Sequence, residues 1–158
     1  MNPAAKIDYT AVKLALFERC QQYVTQRIET ARTAMEAAQA AANEESKSSA
    51  GDKYETGRAM AQLERDRHAQ QLAEALKLRQ ELDRIDVGKE YVSGQPGSLV
   101  LTSQGHYFIA ISAGKLTVGT IDYFAVSAAS PIGARLSQVK TGEELTFNGK
   151  LIRVLAVH

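Results

Sequence analysis

The chain has 158 residues, a formal net charge of +1 and 23% charged residues. That balance argues against a protein that grips nucleic acid through a bulk basic excess, and against a disordered polyelectrolyte. A single cysteine, Cys20, excludes an intrachain disulfide and leaves no thiol cluster for zinc.

The first ten residues are mixed and polar, without the apolar core of a signal peptide. No apolar run is long enough to cross a bilayer. With one thiol, the expectation is a cytoplasmic protein with no membrane partner.

Leu14, Phe17, Val24, Ile28, Ala31, Met35, Ala38 and Ala42 follow alternating steps of three and four, with Gln21 at the skipped position. That period predicts a coiled-coil seam on a long first helix. Five alanines between Ala37 and Ala42 would let a partner helix approach closely. Helicity is predicted to fail over Asn43–Gly51, which is rich in turn formers. A second helix is predicted from about Asp52 to about Asp86. Its apolar positions are Met60, Leu63, Leu72, Ala75, Leu76, Leu78, Leu82 and Ile85, with a break near Arg65-Asp66-Arg67-His68. The simplest fold-back is an antiparallel hairpin, with arms about 50 Å long at 1.5 Å per residue.

Composition changes at residues 86–90. Nine of the eleven glycines lie beyond Val87, among Val, Ile, Tyr, Phe and Thr. The predicted organisation is a helical hairpin over residues 1–87, with an acidic tip near 44–55, and a small β-rich domain over 88–158. The fold class is α+β. Strands are predicted at Ser98–Thr102, Tyr107–Ser112, Phe124–Ala128, Glu144–Phe147 and Leu151–Val157. Asn148-Gly149 predicts a tight hairpin turn, and a helical turn is predicted over Ile132–Leu136.

Little points to a self-contained active site. His68, His106 and His158 are scattered, and no phosphate-cradling glycine loop is present. The informative stretch is the tip, which carries Glu44, Glu45, Lys47, Asp52, Lys53 and Glu55. Asp52 and Glu55 are three apart, so at a helix start they share one face. They fit a capping arrangement, and a cap can also present carboxylates. Lys47, Lys53, Arg58, Arg65 and Arg67 are candidates for phosphate contacts, or for a solvated face paired with Glu64 and Asp66. Ser130-Pro131 reads locally as a helix start, with Ser as cap and Pro at the first position.

Gly51-Asp52-Lys53-Tyr54-Glu55 resembles the tip motif of the Gre-type transcript-cleavage factors, in which Gly-Asp, two variable residues and Glu open the second hairpin helix. Phe124-Ala125-Val126-Ser127-Ala128-Ala129-Ser130-Pro131-Ile132-Gly133-Ala134-Arg135-Leu136 resembles that family's C-terminal signature. Both matches fall in the family's order. After Glu55 the chain departs, with Thr56-Gly57-Arg58-Ala59 where the family has Asn-Ala-Glu-Tyr, so the resemblance is to a divergent member.

The resemblance implies an FKBP-like C-terminal domain that docks on bacterial RNA polymerase through Ser130, Pro131 and Ile132. It implies a hairpin inserted in the polymerase's secondary channel, stimulating cleavage of backtracked RNA. Asp52 and Glu55 would add ligands to a magnesium ion shared with the polymerase, since two carboxylates alone hold Mg²⁺ poorly. Glu44, Glu45, Lys47 and Lys53 would be accessory. The RNA 3′ end would be met only within that complex, with no independent DNA binding, no catalytic residue of the chain's own and no cofactor when alone. Two alternatives stand beside this: a channel-binding inhibitor without cleavage activity, and an FKBP-like chaperone or scaffold with a coiled-coil arm.

Overall fold

The structure is a computed structural model that describes residues 6–47 and 51–158. Its elements are helices α1 (Tyr9–Lys47) and α2 (Gly51–Asp83), strands β1 (Leu99–Thr102), β2 (Gly105–Ala110), β3 (Gly114–Val118) and β4 (Ile121–Ser127), helix α3 (Pro131–Leu136), and strands β5 (Glu144–Phe147) and β6 (Lys150–Val157). They form two compact units: Tyr23–Gln80, and Met1–Gln22 together with Glu81–His158.

In the first unit, α1 and α2 form an antiparallel helical hairpin. Arg79 Nη2 donates to Thr25 Oγ1, and Arg65 Nη1 donates to Gln39 Oε1 at 3.5 Å, so positions early on α1 meet positions late on α2. From Val24 onward α1 follows the predicted seam, with Val24, Ile28, Ala31 and Ala42 buried and Met35 and Ala38 half-buried.

The structure corrects the reading of α2. The helix runs unbroken through Arg65–His68, and α1 stays helical through Asn43–Lys47. Met60 and Leu63, read as seam residues, are 63% and 69% exposed. Ala61, Arg65, His68, Leu72, Ala75, Arg79 and Leu82 instead step alternately by four and three. Arg65 and Arg79 on that row reach across to α1, and Ala75 and Leu82 are buried. On this row Arg65 and Arg79 bridge to polar groups of α1, and His68 bonds within α2, where leucines would pack.

In the second unit, six strands lie in the order β3-β4-β2-β1-β6-β5. β2 and β4 are parallel, and the remaining neighbours are antiparallel. Side chains alternate across the sheet. One face carries Val100, Ile109 and Val154, which form a core with Leu136 of α3 and Val139 just beyond it. Leu99, Phe108, Tyr123 and Ala125 are buried on the opposite side. The start of α1 belongs to this unit. Arg19 Nη1 donates to Thr117 O of β3, and the Tyr9 ring stacks on His158 at 4.4 Å.

Here the α1 reading is corrected again. Val12, Leu16 and Cys20 are buried, whereas Leu14 is 51% exposed. The buried stripe steps by four rather than alternating three and four, because this stretch packs within the sheet unit.

Glu144–Phe147 is a strand as predicted, and the other four predicted strands shift only at their ends. β3 was not predicted. It is an edge strand that begins on glycine and buries only Leu116. Asn148 and Gly149 have φ of 51° and 77°, the two positive values a type I′ turn requires. Among the described residues, no helix is long and apolar enough to cross a membrane.

Candidate functional site

α2 opens at Gly51, one residue before the predicted start, so position 52 lies inside the first turn rather than at the cap, and position 55 begins the next turn. Three residues apart on a helix, they lie on one side. Exposed N–H groups at a helix start favour nearby negative charge. Glu55 is exposed. Glu44, near the end of α1, is exposed and already engaged with a neighbour. The side chains of Glu45, Lys47, Asp52 and Lys53 lie outside what the structure describes, as do residues 48–50 altogether. Among the described residues, no group of three or more His, Cys, Asp or Glu side chains stands ready to hold a metal ion.

The arginines further along α2 are engaged. Arg65 pairs with Asp66 at 2.8 Å and Arg67 with Glu64 at 2.6 Å. His68 lies 3.5 Å from the same Glu64 and 2.9 Å from Gln71 Oε1. Arg58 also has a partner. Arg67 is paired on its own helix, whereas Arg65 pairs with Asp66 and also reaches Gln39 of α1.

In the sheet unit, Ser130 is the N-cap of α3 and Pro131 occupies its first turn. Ser130 Oγ accepts from Gly133 N at 3.1 Å and donates to Ser127 O at 2.7 Å. Gly133 has no room for a side chain, since a Cβ there would meet Ser127 O at 1.9 Å. Ile132 packs against the core cluster. Of the three residues singled out for docking, only Pro131 is exposed, while Ser130 and Ile132 fix the turn that presents it.

No family model, curated protein or solved structure matches this chain.

Three titratable residues are buried or half-buried at positions that the sequence did not mark as buried. Lys13 is buried to 1% exposure, donates to Lys89 O at 2.8 Å and sits 4.8 Å from the Tyr91 ring centre. Burial lowers its pKa, against the raising influence of Glu90 and Asp86. The carbonyl it serves lies 76 residues away, so no local signal marks it. His106 has a buried Nδ1 with no protein partner and lies beside the Tyr123 ring. Cys20 is fully buried, and burial pushes its thiol up to about 12, so no thiolate is at hand. Each of the three helps to shape the sheet unit.

Proposed function

We propose that the chain is a Gre-like accessory factor that binds bacterial RNA polymerase, inserts its hairpin in the secondary channel and stimulates cleavage of backtracked RNA. The observation that carries this reading is the placement of positions 52 and 55 within the first five residues of the second helix of a helical hairpin. A separate sheet unit with a Ser-Pro-capped helix supports it. We read that unit as FKBP-like and as the docking part, presenting Pro131 on a turn held by Ser130 and Ile132.

Two carboxylates offer the hard oxygen donors magnesium prefers but leave most of its coordination unfilled. That fits an ion shared with the polymerase. Magnesium so held supplies charge stabilisation and an activated water for phosphodiester hydrolysis. The contribution of this chain is to deliver Asp52 and Glu55 on a preformed helical turn. The chain then has no activity alone, no independent DNA binding and a cytoplasmic site of action.

The cavity beside α3 weakens the prolyl-isomerase version of the chaperone alternative. It is lined by residues including Gly94, Pro96, Ile109 and Gly133 and measures about 40 Å³, against about 300 Å³ or more for typical ligand pockets.

The test is Asp52→Asn and Glu55→Gln in a cleavage assay on backtracked complexes, at saturating factor and fixed Mg²⁺. Position 52 lies inside α2, where Asn and Asp have similar helix propensities, and Gln is at least as good a helix former as most residues. Both substitutions should preserve fold and polymerase binding while abolishing stimulated cleavage. Wild-type activity in both variants would reduce the pair to charges that merely suit a helix N-terminus. A wild type that binds and suppresses nucleotide addition without cleavage would establish the inhibitor instead.

A further inference from the structure

The open sheet has two edges, β3 and β5. An edge strand presents unpaired N–H and C=O groups, a template on which another chain can extend the sheet. In antiparallel pairs, successive residues turn those groups alternately toward the partner strand and away from it.

Val118 and Ile121 face each other across the two-residue Gly119-Thr120 turn, as the bonded pair that closes the hairpin. Thr117, one residue earlier, therefore turns its backbone outward. Its hydroxyl fits that register, donating to Asp122 Oδ1 at 2.7 Å across the non-bonded pair.

β5 repeats the pattern. Phe147 and Lys150 close the Asn148-Gly149 turn, so Thr146 faces outward. The neighbouring bonds agree. Val154 N donates to Glu143 O and Val154 O accepts from Gly142 N, which points the even-numbered residues of β6 toward β5. Arg153 exchanges its backbone bonds with Ser103, on the other side.

At both edges the outward carbonyl is occupied by a guanidinium. Arg19 Nη1, from α1, donates to Thr117 O at 3.2 Å. Arg135 Nη2, from α3, donates to Thr146 O at 2.9 Å. The two strands have like sequences at that point, Leu116-Thr117-Val118 and Leu145-Thr146-Phe147, each followed by its turn. Both are rich in residues that favour strands, with a single charged residue each, Lys115 and Glu144, two positions before the threonine.

We propose that Arg19 and Arg135 are edge guards, which keep a second copy of this chain from extending the sheet at β3 or β5. Each takes up the acceptor that an incoming strand needs. Each also sets a fixed positive charge at the edge, so two copies meeting edge to edge would bring like charges together. The inference is independent of the polymerase reading.

The test uses the full chain with Arg19→Ala, Arg135→Ala and the double substitution. Sedimentation over a concentration series should leave the wild type unchanged. The single variants should shift toward the dimer mass and the double variant further, with far-UV circular dichroism retained throughout. Adding Thr117→Pro and Thr146→Pro to the double variant should restore wild-type sedimentation. Proline there removes an outward N–H and, at position 117, the hydroxyl bond to Asp122, but breaks no ladder bond and obstructs strand addition. A double variant that sediments like the wild type overturns the proposal. So does association that survives the prolines. Loss of the folded dichroism signal in the arginine variants also overturns it, because the guanidiniums would then be props of the fold rather than guards.

Discussion

In the sheet unit, Leu99, Val100, Phe108, Ile111 and Leu136 are fully buried; among the described residues of the hairpin unit, the buried ones are Val24, Ile28, Ala31, Ala42 and Ala75. Three of those last five are alanine, which removes little apolar surface from water. At about 25 cal/mol per Å², the burial contribution per residue is much larger in the sheet unit. The hairpin draws instead on good helix formers, on ion pairs such as Glu64–Arg67, and on Arg65 and Arg79 reaching across to α1. The acidic turn at positions 52 and 55 thus sits in the unit with the thinner core. Residues there can be chosen for chemistry with little consequence for packing, and local opening should be easiest in this unit.

The comparison breaks most visibly at Phe108. It is completely buried in a strand covered on both sides. Phe108→Ala should cost about 3–5 kcal/mol, from lost burial and the cavity left behind. Urea unfolding followed by tyrosine signals from the sheet unit, which holds Tyr9, Tyr91, Tyr107 and Tyr123, would measure it. A loss below about 1 kcal/mol would mean that the sheet unit is not the stability anchor.

What the sequence made legible is what local chemistry decides. Ser130-Pro131 announced the cap of α3, and Asn148-Gly149 announced a turn with two positive φ values. The seam of α1 from Val24 onward was legible because it is apolar at the right period. Where the partner decides, the pattern misled. Val12, Leu16 and Cys20 replace Leu14 and Phe17 at the start of α1, where the neighbours are those of the sheet unit. On α2 the seam was hidden because arginine and histidine hold positions a hydropathy pattern reserves for leucine. β3 was hidden because an edge strand needs only one buried residue to belong. Of the candidate site, the Asp52–Glu55 spacing was readable as a motif. Lys13 was not, since its partner carbonyl is brought to it only by folding.

A pH titration sharpens the comparison from the other side. Burial lowers the His106 pKa below 6.5, partly opposed by its bond with the Gly105 backbone. The unfolded chain then takes up this proton first as pH falls. Stability of the sheet unit should be fully present above about pH 6.5 and decline as the pH drops below it, down through the lowered folded-state value. Because Nδ1 has no protein partner, His106→Phe loses no hydrogen bond at that atom and removes the titration. Unfolding free energies at about pH 7 and about pH 5 should differ less in the variant than in the wild type. Equal slopes would place the acid sensitivity elsewhere.

The smallest effect tests the seam of α2 itself. By hydropathy Leu63 is the natural core residue, yet it is 69% exposed, while Ile28 on α1 is 8% exposed. Leu63→Ala removes a side chain that shields little and puts the best helix former in its place. It should change stability by no more than about 0.5 kcal/mol in either direction. Ile28→Ala should cost about 2 kcal/mol or more, since its site can collapse only partly. Both are read from the same helical dichroism melt, so errors in the unfolding baseline cancel in the difference. If Leu63→Ala costs as much as Ile28→Ala, the apolar row through Met60 and Leu63 faces α1 after all, and Arg65, His68 and Arg79 point to solvent. If it costs nothing, a seam with only small or polar residues at most positions is enough to pair these helices, and the outer row is free for a surface the hairpin meets.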